Sequence, residues 1–253
     1  MSGHSKWSTI KHKKAAIDAK KGVAFTKIAR EITIAAREGG SGDPAMNFRL
    51  RLTMDKARAA NMPADNVDRA IKKGLGTGND GLTYEEIIYE GYGPGGAAIM
   101  LKVLTDNRNR SASEIRTAFS RGGGNLGESG SVAWIFESKA VITLEEIGEE
   151  EAEEIALAAI DGGADDFKVE GGTLEITGAP ASLQPMTQIV KDLGKEAAQA
   201  TVTMVPKTQQ VLDTSTAGQT LRLLDRIEEL DDVQQVYTNA DFTEEALEKY
   251  GNE

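Results

Sequence analysis

The residues that could do chemistry are few. Gly91-Tyr-Gly-Pro-Gly-Gly96 spells G-x-G-x-x-G. A dinucleotide site needs that loop to open a helix whose N-terminus holds the pyrophosphate. Here Pro94 sits in the loop and a strand pattern follows, so the segment reads as a glycine-rich hairpin turn. No G-x-x-x-x-G-K-[ST] run occurs, which argues against a P-loop nucleotide site. The two histidines, His4 and His12, have only Asp18 as a nearby carboxylate, too little for a metal site and without the spacing of a triad. There is no cysteine, hence no disulfide, thiolate zinc site or cysteine nucleophile. The seven glutamates of Glu145–Glu154 could pair for acid–base work, but they suit a solvated helix start, where acids face the positive end of the dipole. No cofactor and no metal are implied.

What remains is the chemistry of cations, and it is unevenly distributed. The chain of 253 residues has a formal net charge of -11. Residues 1–79 hold 16 Lys and Arg against 7 Asp and Glu, a net of +9, and residues 80–253 carry a net of -20. Such asymmetry points to a polyanion-binding end, with an acidic remainder that repels the same polyanion and so orients the molecule on it. The candidate phosphate contacts are Lys11, Lys13, Lys14, Lys20 and Lys21 in the first stretch, Lys27 and Arg30 after it, and Arg49, Arg51 and Arg58 further on. Arg69, Lys72 and Lys73 complete the basic end. Arg51 and Arg58 are seven apart, as are Arg49 and Lys56, so each pair stays on one side of a helix. Asp55 can pair with Arg51 or Arg58, and Lys72 and Lys73 also suit a helix C-terminus. A second, weaker surface is Thr105-Asp-Asn-Arg-Asn-Arg110, where Arg108 and Arg110 with helix N-terminal amides could hold a phosphate, or Asn107 could simply cap the helix. Trp7, beside Lys6, could stack on a base or anchor the arm.

These residues need elements to position them. Residues 1–21 read as a basic arm. A transit peptide is the competing reading, but the arm has no Arg. Three amphipathic helices follow: about 22–37, with Phe25, Ile28, Ile32 and Ala35 inward; from Asp43-Pro44 to Ala60, burying Leu50, Met54 and Ala57; and from Pro63 to Gly74, burying Val67, Ala70 and Ile71. Gly74–Gly81 reads as a linker. Strands are expected at 84–90, 97–105 and 132–136 with a helix at 110–120. The order over 140–205 is then βαββαβ, the ferredoxin-like order, before a last helix at 220–230 and strand at 233–237. The fold class is α+β: a three-helix N-terminal domain over 1–79, an α/β middle domain from 80–138 plus 207–253, and a ferredoxin-like α/β domain over 139–206 inserted in it.

Gly3-His-Ser-Lys-Trp7, Ile10-Lys-His-Lys-Lys-Ala15, Phe25-Thr-Lys-Ile28, Asn61-Met-Pro63 and Arg69-Ala-Ile71 resemble the YebC family. So do Tyr89–Gly96, Thr105–Arg110, Gly123–Gly127 with Gly130-Ser-Val132, and Asp231–Tyr237. The resemblance covers essentially the whole chain, although 139–200 carries little signature of its own. It implies a helical N-terminal domain and two α/β domains, one inserted in the other. It also implies a probable transcriptional regulator that binds DNA. Mitochondrial relatives act as translational activators, and bacterial members have been linked to the ribosome and proline-rich nascent chains, so ribosomal RNA is the alternative target. With no presequence ahead of the family motif, the chain resembles a bacterial, cytoplasmic member. An enzyme is poorly supported, because no acid–base or nucleophile constellation is present. No membrane partner is implied; a protein partner could use the acidic domains. DNA and RNA stay undistinguished, since phosphate contacts carry no base information.

Overall fold

The computed structural model describes residues 19–76 and 84–251. The arm over 1–18, with Lys11, Lys13, Lys14, His4, His12 and Trp7, lies outside the described residues, as does most of the glycine-rich linker.

The chain opens with three helices, α1 (Ala19–Gly39), α2 (Phe48–Ala59) and α3 (Ala64–Gly74). Their apolar stripes meet in one core of Ile32, Ala35, Leu50, Ala57, Met62, Val67 and Ala70. Met54 and Ile71 pack against that core half-buried, and Thr53 is buried beside Leu50 and Ala57. The second helix does not begin at Asp43-Pro44. Asp43 forms a tight turn instead, its Oδ1 accepting from the Ala45 amide at 2.8 Å. The cap is Asn47, whose Oδ1 accepts from the Leu50 amide at 3.0 Å and whose Nδ2 donates to the Ala35 carbonyl at 2.7 Å. One buried side chain thus starts α2 and ties it to α1, two satisfied bonds that an exposed Asp43 cap lacks. Gly74 ends α3 with a packing task as well. A Cβ there would lie 2.3 Å from the Thr33 carbonyl oxygen and 2.8 Å from the Ala36 Cβ, so α3 can approach α1 only without a side chain.

A four-stranded antiparallel sheet follows, ordered β3-β1-β2-β9, from β1 (Glu85–Tyr92), β2 (Ala98–Thr105), β3 (Asn125–Leu126) and β9 (Val233–Thr238). Between β1 and β2 the chain turns through Pro94–Gly96, with Gly95 at φ 69° and Gly96 at φ 77°. That turn is a single 3₁₀ turn and β2 follows it directly, with no α-helix opening there, so the G-x-G-x-x-G run is a hairpin turn. Helices α4 (Arg108–Arg121) and α7 (Thr214–Glu228) cover one face, burying Ile99, Leu101, Val103, Ile115, Phe119, Leu221 and Leu224. A last helix, α8 (Glu244–Gly251), packs Leu247 and Tyr250 on the same core. The short strands β8 (Gln210–Val211) and β10 (Ala240–Asp241) pair in parallel nearby.

Between β3 and β8 runs a second antiparallel sheet, ordered β5-β6-β4-β7. Its parts are β4 (Phe136–Leu144), α5 (Glu149–Asp161), β5 (Ala164–Glu170), β6 (Thr173–Gly178), α6 (Leu183–Asp192) and β7 (Gln199–Pro206). This strand order is that of the split βαβ, with a core of Ile142, Leu144, Ile155, Ile176, Met186 and Val190 under its two helices. Glu149, Glu150 and Glu151 occupy the first turn of α5, as dipole chemistry favours. Met100, Val132, Ile135, Phe136 and Tyr237 cluster where the two sheets adjoin, with Met204 against them. The strand expected at 132–136 is instead a single 3₁₀ turn at Ala133–Ile135 leading into β4. Its amides are taken by a carboxylate, Glu90, rather than by a neighbouring strand.

Candidate nucleic-acid interface

The sequence nominates cations, and the structure sorts them by which way they face. Lys20 and Lys21 lie in the first turn of α1. Downstream on that helix, Lys27 Nζ donates to the Glu228 carbonyl at 2.5 Å, at the C-terminal end of α7. Arg30, its side chain only 14 % exposed, reaches the same corner, donating to the Asp231 carbonyl and pairing with the Asp232 carboxylate at 2.7 Å. Arg37 donates to the Tyr84 carbonyl, and Lys73 lies 5.0 Å from the centroid of the Tyr84 ring. Arg49 pairs with Glu38 and, at 3.3 Å, with Glu86, which Lys102 also meets at 3.1 Å. The inner face of the helical bundle is thereby docked by charge onto the first sheet and the end of α7. The carbonyls at that end are the negative pole of a helix, where cations are favourable.

Asp232 is the centre of this dock. Its carboxylate, at the entry to β9, receives Arg30, Arg110 at 2.9 Å, Thr105 Oγ1 at 3.0 Å and Ser111 Oγ at 2.5 Å. Burial works against ionisation here, but the donors from Ser111, Arg110 and Thr105 and the Arg30 charge outweigh it and hold the carboxyl below its usual range. Arg110 pairs as well with Asp106 at 2.8 Å and is held still more firmly in its charged form. This narrows the phosphate surface expected at 105–110. Asn107 caps α4 through the Arg110 amide at 3.1 Å, and Arg110, although 43 % exposed, has its guanidinium held by Asp106 and Asp232, while Arg108 is exposed beside it. Lys27 and Arg30 are partly buried with their side chains engaged within the chain, whereas Arg49 and Arg110, though paired, stay about half exposed.

The outward cations sit on α2 and α3. Arg51 lies over the Phe48 ring, 5.1 Å from its centroid, and Arg58, 72 % exposed, pairs with Asp55 at 2.7 Å. Arg69 holds its guanidinium against the Asn66 side chain and the Asp65 carbonyl, and Lys72 is exposed one turn along. Beside α2 a groove of about 860 Å³ runs between the bundle and both sheets, lined by Phe48, Leu52, Lys56, Lys102, Val202 and Gln234 among others. Tyr237, behind it, is buried, and burial with the charges of Glu86 and Glu31 pushes its phenol up to about 12 against a bond with Thr203. Among the described residues no group of three His, Asp or Glu is placed to hold a metal, and no helix is long and apolar enough to cross a membrane.

Sequence reasoning missed Asp232 and Glu90. The signal for Asp232 was on the page, since two consecutive acids stand before the apolar strand 233–237. Nothing in the local pattern says that one of them is buried beneath arginines from distant segments.

The class that emerges is an α+β protein with a basic helical head carried on two antiparallel α/β sheets. Residues 5–77 match the TACO1/YebC protein N-terminal domain, and residues 84–240 match the TACO1/YebC second and third domain. The chain belongs to this family. It is 53 % identical over 240 residues, 94 % of this chain and 98 % of the other, to a probable transcriptional regulatory protein of Pelotomaculum thermopropionicum. A probable transcriptional regulatory protein of Moorella thermoacetica is 54 % identical over 243 residues, covering 95 % of this chain and 96 % of its own. Among solved structures, a conserved hypothetical protein from Aquifex aeolicus superposes with a TM-score of 0.79 at 42 % identity, over 91 % of this chain and 94 % of that one.

Proposed function

We propose that this protein is a transcriptional regulator that binds DNA by its basic N-terminal helical domain, residues 1–79, and acts by binding rather than catalysis. The observation that carries the reading is the sorting of cations on that domain. Its inner arginines and lysines hold it on an acidic body, and Arg51, Arg58, Arg69 and Lys72 lie on the outer surface of α2 and α3. A net +9 head on a body of net -20 makes the head the main attraction for a polyanion. The names of its relatives as probable transcriptional regulatory proteins support the same reading. The Arg108 surface is a second, weaker contact, and the site of action is the cytoplasm.

The test is a full-length variant with Arg51, Arg58, Arg69 and Lys72 all changed to Gln, titrated with duplex DNA at several salt concentrations. Four lost phosphate contacts make the slope of log K against log[salt] shallower by about 3.6, at roughly 0.9 per phosphate. An unchanged slope removes this face from the interface. Binding confined to ribosomal RNA, with duplex DNA ignored at low salt, replaces the DNA reading by a translational one.

A further inference from the structure

Trp134 is 67 % exposed, although tryptophan is among the residues that bury most surface on folding. Its exposure is built. The segment leading into it, Gly130–Ala133, is clamped by Glu90, a buried carboxylate on β1. Glu90 accepts the Gly130, Val132 and Ala133 amides at 2.7 Å each. Val132, Ile135 and Phe136 are buried on either side, so Trp134 has only the outward direction. Its indole N–H donates to the Ser131 carbonyl at 3.0 Å, and the Tyr92 hydroxyl, from a residue 37 % exposed, donates to the same carbonyl at 2.9 Å. Both rings therefore have their polar ends anchored on one atom and need no further polar partner. No other large hydrophobic side chain between 119 and 141 is exposed, and the loop that carries Trp134 is rich in Gly and Ser. Lys207 closes one side, its ammonium donating to the Trp134 carbonyl at 3.2 Å; Glu128 is the acid of the loop.

We propose that Trp134 and Tyr92 form a stacking platform for an unpaired nucleobase of a single-stranded nucleic acid, with Lys207 on the side where the strand's phosphate lies. Rigid aromatic rings with satisfied polar ends suit stacking on any base, and an adjacent cation suits the backbone. A base inside a duplex is stacked on both faces and cannot use such a platform without being unstacked. The inference rests on the reading of the chain as a nucleic-acid binder, and adds a second contact on the body, remote in sequence from the helical head.

The experiment uses the full-length chain with Trp7→Phe, which leaves Trp134 as the sole indole of two. Short oligothymidylate and oligouridylate strands are titrated while Trp134 emission is followed, and a mixed-sequence duplex is titrated by anisotropy. Saturable quenching by a single strand, with little from a bound duplex, is the expected result, and comparison of the two strands assigns DNA or RNA. Trp134→Ala is expected to weaken single-strand binding about 5- to 150-fold, the range of one lost stacking contact, and to leave duplex binding within about twofold. Trp134→Phe keeps an aromatic face and is expected to retain part of the affinity, which excludes a folding defect as the cause. If duplex binds but single strands neither quench Trp134 nor respond to Trp134→Ala, the platform is overturned and the helical-head reading stands. If single strands quench and the duplex is not bound, the platform stands and the DNA reading falls. Failure of every nucleic acid to bind overturns both.

Discussion

Asp232 gathers donors from three stretches of chain: Arg30 from the bundle, Thr105 from β2, and Arg110 with Ser111 from α4. Removing one partner of a buried ion pair is costly because the other charge stays buried, by about 3–5 kcal/mol. Asp232→Asn is therefore expected to lower stability by about that much, read as the shift of a urea denaturation midpoint. Thr105→Val removes a neutral hydroxyl that donates to Asp232 and accepts from the Asn107 amide and Ser111, and is expected to cost about 1–3 kcal/mol. The pH dependence has a definite sign. The folded carboxyl is held below its usual range, so the unfolded chain takes up the proton first as pH falls. The contribution of Asp232 is full above about pH 5, begins to fall in the ordinary carboxyl range near 4 where the unfolded chain takes up its proton, and is lost as pH falls on through the lower range where the folded carboxyl titrates. Denaturation at a series of pH values is expected to show an acid limb that is shallower in Asp232→Asn than in the parent. An equally steep limb in the variant assigns the acid sensitivity to other carboxylates.

At the scale of elements, α2 and its neighbours carry two expectations. Arg51 and Arg58 lie about 10 Å apart along one helix face, two turns, a span that can follow several phosphates of one strand. Changing both to Gln is expected to reduce affinity about equally for unrelated sequences and to flatten the salt slope by about 2. The Arg58–Asp55 pair is exposed on both sides and contributes little to folding, so the melting temperature is expected to hold. Loss on one sequence alone would mean base reading by this helix. Gly74→Ala makes the opposite kind of change. The new methyl would meet the Thr33 carbonyl at 2.3 Å, so α1 and α3 must part, with a stability loss of about 1–3 kcal/mol seen on melting and no direct effect on the cationic face. Much of this level was legible in the sequence. The stripes of Ile32, Leu50, Val67 and Ala70 repeat with the helix, and β2 is apolar apart from Lys102 and the closing Thr105, being buried along nearly its whole length. The strand expected over Val132–Phe136 failed for a physical reason, since an apolar run looks the same whether its amides pair with a strand or with a carboxylate from β1. The outward basic face was legible as spacing. Its division into docking and solvent-facing cations was not, because Arg30 and Asp232 stand some two hundred residues apart, beyond the reach of any local pattern.

For the whole molecule, the decisive quantity is the separation of charge between head and body. The two sheets each have an apolar core under their own helices, so a chain beginning at Gly81 retains what folds the body. It gives up the Arg30 arm of the Asp232 cluster but keeps Arg110, Thr105 and Ser111, so the carboxylate is not left bare. Circular dichroism is expected to show a folded but less stable protein. Binding is expected to change far more. If the full-length chain neutralises about six phosphates, log K falls with log[salt] at a slope of about -5, and nearly all of that slope belongs to the head. The truncated chain, with most of the acid and little of the base, is expected to bind duplex DNA at least a hundredfold more weakly at low salt, with a slope near zero. Titrating both chains across the same salt series separates the two contributions in one measurement. Equal affinity and equal slope would move the interface onto the body, where Arg108, Arg116 and Arg121 of α4 are among the exposed cations.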